Sequence, residues 1–185
     1  MSSDEDAAWI AGIQRGDVTA FEATVRGYGP QLASFARGLL GAPDDAEDVV
    51  QEVFWRIWDR RQEWRPTVSL RAYLLTAVRN RALNVLAHRR VQAVHRATDG
   101  AEAIVEGGVD AVVALEEAVA QQRALERGFA ALTEKQRTAV RLRYSDGLAM
   151  MEVAAVLGVS VSGAERLIAR ALRVLRTEAA GSATE

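Results

Sequence analysis

The chain of 185 residues contains no cysteine, which excludes a disulfide framework, a thiolate metal site and a cysteine nucleophile. Proline is scarce, at three residues, and there are two histidines. Few helix breakers in a sequence rich in alanine, leucine, valine and arginine predict a mostly helical fold. No apolar run approaches the roughly 18 residues of a membrane span, and the acidic start Met1-Ser2-Ser3-Asp4-Glu5-Asp6 is unlike a positively charged signal peptide. The expected location is the cytoplasm, with no membrane contact of the chain's own. There is no phosphate loop, metal-ligand cluster or nucleophile signature, so no cofactor and no metal are expected and a helical enzyme is disfavoured. Internal repeats, low-complexity tracts and strand-like alternation are also missing.

Hydrophobic residues at 49% and charged residues at 26% give the balance of a folded protein, long enough for one domain or two small ones. A formal net charge of -2 argues against a polyanionic partner only as an average. From Leu39 to Trp55 the charged residues are Asp44, Asp45, Glu47, Asp48 and Glu52, all acidic. From Trp64 to Thr98 they are Arg65, Arg71, Arg79, Arg81, Arg89, Arg90 and Arg96, all basic. Asp99 to Gln122 is acidic again, and from Lys135 to Arg176 bases outnumber acids. One such block is as readily a solvated face. Two basic blocks around an acidic one suggest two nucleic-acid contacts joined by a segment that avoids phosphate.

Helical stretches are predicted at Val18–Arg26 and Gln31–Leu40, either side of Tyr28-Gly29-Pro30. Asp44 and Asp45 are placed to cap the next helix. In it Ala46, Val49, Val50, Val53, Phe54, Ile57 and Trp58 form one apolar stripe at three- and four-residue spacing. Ser69 is a plausible cap for a long helix from Leu70 to about Arg90, with Tyr73, Leu74, Ala77, Val78, Val85 and Leu86 on its buried face. Gly100, Gly107 and Gly108 in an acidic stretch predict a linker, and the domains are placed at 1–91 and 115–185 with the linker at 92–114. Helix resumes from Val112 through Phe129 and Leu132, then from a Thr133-Glu134 cap to Tyr144, with a turn at Asp146-Gly147. The fold class is all-α, two small helical domains joined by a flexible acidic linker.

Glu152 to Ser162 has the form of a helix-turn-helix: Ala154 permits close approach, Gly158 suits the turn, and Ser160 caps the second helix. Val161, Ala164, Ile168, Ala171, Leu172 and Leu175 face the core in this pattern. Arg166, Arg170 and Arg173 share the outer face, where they reach phosphates or base edges, although a helical hairpin with wet arginines is also common as plain structure. On the long basic helix Thr76, Asn80, Asn84 and His88 form a polar stripe beside Arg79 and Arg81, and Trp64 ahead of it offers a stacking surface. The alternative makes Trp64 a core anchor and leaves Asn80 bonded within its own domain.

Together these residues resemble a bacterial RNA polymerase sigma factor of the sigma-seventy family, in the compact extracytoplasmic-function (ECF) branch, over about 18–91 and 115–176. Asp44-Asp45-Ala46-Glu47-Asp48-Val49-Val50-Gln51-Glu52-Val53-Phe54-Trp55-Arg56-Ile57-Trp58 is similar to the region-two helix that docks on the polymerase clamp helices. That resemblance implies core-polymerase contacts at Asp48, Gln51, Glu52 and Phe54. Leu70 to Leu74 and Val78 to Leu86 resemble the segment that melts and reads the minus-ten element, implicating the loop from Trp64 to Ser69 together with Arg71, Arg79, Asn80, Arg81, Asn84 and His88. Ala131 to Tyr144 and the helix-turn-helix resemble region four, implying minus-thirty-five contacts at Ser160, Ser162, Arg166, Arg170 and Arg173. The resemblance implies three partners: core RNA polymerase, promoter DNA as duplex and melted non-template strand, and an anti-sigma factor. It also implies a charge-mimicking acidic linker.

Two positions depart from the family pattern. Ser162-Gly163-Ala164-Glu165-Arg166-Leu167 stands where members often carry a Gly-Thr-Val-Lys-like start, so the minus-thirty-five sequence does not transfer. Met150-Met151 replaces an aromatic and an acid, and is read as core packing. Apart from the sigma factor, the pattern accommodates a dimeric helix-turn-helix repressor or activator that binds duplex DNA without polymerase.

Overall fold

In the computed structural model, which describes residues 3–96 and 126–181, Ser3–Gln14 form a helix, α1, ahead of the stretch where the sequence pattern places the first. Its tie to the next helix is specific. Tyr28 donates its hydroxyl to Asp6 at 2.7 and 2.9 Å, Trp9 meets the Tyr28 ring edge-on at 6.3 Å, and Ile13 is wholly buried.

Val18–Leu40 form one helix, α2, where two were expected around Pro30. A proline inside a helix removes a hydrogen bond and costs about 3 kcal/mol. Continuing the helix buries Tyr28, Leu32 and Phe35, each worth roughly 1.5–3 kcal/mol. Packing against α1, α3 and α4 therefore outweighs the proline, which lies on the exposed side. Gly41, in the left-handed conformation with φ 70°, ends the helix by donating to the Arg37 carbonyl.

Pro43–Asp59 form α3. Asp44 and Asp45 do not cap it: Ala42 is the N-cap without a side-chain bond, and Pro43 fills the first turn, where its missing N–H is no loss. The two aspartates instead sit in that turn, complementing the helix dipole. Ala46, Val49, Val50, Val53, Phe54 and Ile57 are buried as the stripe predicts. Trp58 is half-buried, with Phe21 at 4.9 Å and the Arg61 guanidinium over its ring at 4.8 Å.

Ser69 accepts from the Ala72 N–H at 3.2 Å and starts α4, Leu70–Arg96. Leu70, Ala72, Leu74, Leu75, Val78 and Ala82 are its buried residues. Tyr73, Ala77, Val85 and Leu86 flank that face, half-buried. Residues 92–96 of the expected linker continue α4; its remainder, and the helix expected from Val112 to 125, lie outside the described residues. The chain divides into two units, Met1–Asp99 and Gly100–Glu185.

In the second unit, helical residues 126–131 lead to Thr133, which caps α5, Glu134–Val140. Thr133 accepts from the Gln136 N–H at 3.3 Å, and the Gln136 side chain accepts from the Thr133 N–H at 2.9 Å, a reciprocal capping box. The α-helix stops at Val140 rather than Tyr144. Arg141–Ser145 take one wider π turn, closed by the Asp146 N–H donating to the Arg141 carbonyl at 3.0 Å. The helix-turn-helix is completed by α6, Met150–Leu157, and α7, Val161–Gly181. Gly158 turns between them at φ 63°.

Leu142, Leu148, Val153 and Val156 are wholly buried in this unit, with Ala164, Ile168 and Ala171 of α7. Leu132, Val140 and Ala171 gather a further cluster with Phe129, Val174 and Leu175. Two expected core residues are outside. Val161, at the first position of α7 before the inward face begins, is 40% exposed, and Met151, on the side of α6 away from Val153, is 73% exposed.

The cap of α2 gives a pH-dependent handle. The Thr19 hydroxyl, then the Ala20 and Thr19 backbone N–H groups, hold the Asp17 carboxyl below its ordinary 3.8. A carboxyl lowered in the folded state stabilises above its unfolded value and loses that contribution as pH falls through the folded one. Asp17→Ala is therefore expected to lower the urea unfolding midpoint at neutral pH, with the gap to the parent closing as pH drops below 3.8. A gap independent of pH would remove the carboxylate from the account.

Candidate nucleic-acid and protein interfaces

Between the end of α3, the connection 60–69 and α4 lies a cavity of about 820 Å³, lined among others by Glu52, Trp64, Tyr73, Asn80, Arg81 and Asn84. Asn80, Asn84 and His88 recur at four-residue steps on α4 and are all exposed, as their spacing predicts. Thr76, earlier on that stripe, returns its hydroxyl to the Ala72 carbonyl at 2.7 Å. No acid of α4 faces this wall, because the helix contains none.

Trp64 is only 6% exposed, edge-on to Tyr73 at 5.7 Å. Its expected role as a free stacking platform is thereby corrected: the ring is a core anchor in a residue that also lines the cavity. Its indole Nε1 is buried without a hydrogen-bond partner among the described residues. Such an unmet donor costs roughly 1–3 kcal/mol, and its burial closes it to the cavity in this conformation.

The arginines of α4 are partly engaged. Arg81 donates to Glu52, whose other oxygen pairs with Arg56 at 2.6 Å. Arg89 donates to Asp45, and Arg71 to the Gln31 side chain at 3.2 Å. Arg79 is half-buried. The pairs of Arg81 with Glu52 and of Arg89 with Asp45 join α3 to α4, and at partial exposure each is worth at most about 1 kcal/mol. Glu52, expected on the acidic docking face, is thus half-turned into its own domain and shared between two guanidinium groups.

The exposed face of α3 carries Asp48 and Gln51 as expected, but not Phe54. That ring is 5% exposed and packs edge-on against Phe21 at 6.1 Å, so it cannot touch a partner directly. Its neighbour Trp55 is 63% exposed, one turn after Gln51 and two after Asp48 on the same face. Sequence reasoning missed Trp55, although the stripe through 46, 49, 50, 53, 54 and 57 leaves position 55 out of register.

In the second unit α7 presents Arg166, Arg170 and Arg173, all exposed, opposite Ala164, Ile168 and Ala171. Ser160 caps the helix by accepting from the Gly163 N–H at 3.1 Å, and Ser162 is exposed beside it with its oxygen 3.2 Å away. A Cβ at Gly163 would stand 3.1 Å from the Ser160 hydroxyl. The glycine within this helix is therefore matched to its cap. Among the described residues no helix is long and apolar enough to cross a membrane, and no three His, Asp or Glu cluster as a metal site would require.

Residues 24–92 match the family description Sigma-70 region 2, and residues 122–175 match Sigma-70, region 4. The chain is 32% identical over 174 residues to the RNA polymerase sigma factor CnrH of Cupriavidus metallidurans, covering 91% of each. It is 29% identical over 161 residues to the ECF RNA polymerase sigma factor SigF of Caulobacter vibrioides, covering 86% of each. Among solved structures, CnrH in complex with the cytosolic domain of CnrY superposes with a TM-score of 0.65 at 24% identity, covering 94% of this chain and 96% of that one. The sigma factor RpoE in complex with the anti-sigma factor NepR from Bartonella quintana gives 0.62 at 22% identity, covering 85% and 95%.

The adjacent pair Phe54 and Trp55 is expected to separate in urea unfolding. Phe54→Ala should cost roughly 3–5 kcal/mol as a core truncation, and Trp55→Ala about 0.5 kcal/mol or less as a surface change. Equal losses would contradict the assigned faces of α3.

Proposed function

The chain belongs to the sigma-70 family of RNA polymerase sigma factors, in its ECF branch, and from that premise we propose that the first unit docks on core polymerase and captures the melted minus-ten element, while α7 reads the minus-thirty-five element. Promoter-specific initiation with RNA polymerase is the family's activity, and sigma factors are its non-catalytic specificity subunits. The reading assigns no chemical step to this chain and puts its work in the cytoplasm beside the polymerase.

The observation that carries the minus-ten assignment is the cavity lined by the two exposed amides Asn80 and Asn84. Extruding a base from the duplex costs a few kcal/mol. A base entering here offers its edge to Asn80 and Asn84, which carry both donors and acceptors. Arg81 is held by Glu52, which it shares with Arg56, so its guanidinium is directed before any base enters. Arg71, Arg79 and His88 extend the surface along α4, toward the backbone phosphates.

Asp48, Gln51 and Trp55 form the docking face on α3, with Glu52 at its edge and Phe54 supporting it from within. An acidic face holding an exposed tryptophan suits a basic, partly apolar protein surface. On α7, Arg166, Arg170 and Arg173 face the major groove, with Ser160 and Ser162 at the helix start placed for a phosphate or base edge. In the free chain we expect an anti-sigma protein, of the kind named with the Bartonella quintana protein, to cover the DNA-binding surfaces.

Co-elution with core polymerase and then promoter-directed transcription test the reading. Joining the enzyme and redirecting initiation supports it, whereas a folded, inhibitor-free chain that binds only duplex DNA would be a helix-turn-helix regulator. Asp48→Arg is expected to abolish co-elution while the unfolding midpoint barely moves, since surface changes are usually within about 0.5 kcal/mol. Unchanged affinity would refute the docking face. Asn80→Ala is expected to slow promoter opening while core affinity holds; equal losses in both would sink the base-reading role.

A further inference from the structure

We propose that Gln14, the last residue of α1, is a positioning residue for promoter opening: it fixes the backbone of Trp64 and so sets the wall of the base cavity. The inference rests on the assignment of that cavity to an extruded base. Gln14 lies outside residues 24–92, which match region 2. Its Nε2 donates to the Trp64 carbonyl at 2.9 Å across 50 positions of sequence.

Within the connection 60–69 the bonds that hold that carbonyl and its neighbours are local. Arg65 donates to the Trp64 carbonyl at 2.9 Å and to the Gln62 carbonyl at 2.9 Å, bonds that curl the segment on itself. Turn bonds from Glu63 and Trp64 back to Arg60, each 3.0 Å, are equally local. Gln14 reaches the segment from a different helix. As an uncharged, half-buried amide, it supplies the bond without desolvating a charge.

The origin of that bond is itself fixed. α1 is held on α2 by the Asp6–Tyr28 hydrogen bonds, by the edge contact of Trp9 with Tyr28 and by buried Ile13. At Gly12 the two helices approach so closely that a Cβ would stand 2.5 Å from the Ala20 Cβ. The helix pair thus ends in one donor aimed at the backbone of a residue that lines the cavity. Releasing it lets residues 62–66 shift, and with them that stretch of the cavity wall, while α3 and its docking face keep their packing.

The test uses the full chain with core polymerase and a promoter carrying 2-aminopurine at the extruded position of the non-template strand, whose fluorescence reports unstacking. Gln14→Met keeps the length and most of the volume of the side chain and removes the donor. It is expected to reduce the opening rate and the fluorescence rise about fivefold, the scale of one net hydrogen bond, with core affinity unchanged. Asn80→Ala is measured beside it. Normal opening in Gln14→Met with a defect in Asn80→Ala would overturn the positioning role and leave the cavity assignment standing. A parallel loss of core affinity in Gln14→Met would overturn it in favour of a general structural role. Normal opening in both variants would overturn the cavity assignment and the inference with it.

Discussion

The helical period of α3 is the constraint on which most of the first unit depends. Six apolar residues at three- and four-residue spacing turn one face of the helix into the core, and the angle of about 100° between neighbours then dictates every other side chain. Asp48, Gln51 and Trp55 must point away. Glu52 falls between the two faces, which is why it meets an arginine of α4. The same period separates Phe54 from Trp55, adjacent in sequence yet opposite in role.

Charge along the sequence and charge in space differ for a related reason. The acidic run of α3 and the basic run of α4 read as separate surfaces for separate partners. Folding lays the two helices side by side, and Asp45 with Arg89 and Glu52 with Arg81 cancel across the seam. What remains outward is narrower: a short acidic face on α3 and an amide stripe on α4. Weak as such pairs are individually, they shape the field that polymerase and DNA meet.

Much of this was legible in the sequence. The stripe of α3, the caps at Ser69 and Thr133, the turn at Gly158 and the exposed arginines of α7 all arise from local patterns that packing reinforces. Misreadings cluster where packing overrides a local rule. Pro30 signals a break that the burial of Leu32 and Phe35 forbids. Trp64 precedes α4 like a free stacking residue, yet Tyr73 encloses it. Met151 has the hydrophobicity of a core residue at a position the helix turns to solvent. α1 escaped notice because Asp4, Glu5 and Asp6 disguise a segment whose partners, Tyr28 and Trp64, lie far along the chain.

The π turn at Arg141–Ser145 ends the helix with a turn one residue longer than an α turn. Each residue added or removed rotates the downstream chain by about 100°. The direction in which the chain leaves α5 toward α6 depends on that single surplus residue. Related chains that differ by one residue between Val140 and Leu148 would leave α5 in a different direction, even with a chemically identical α7.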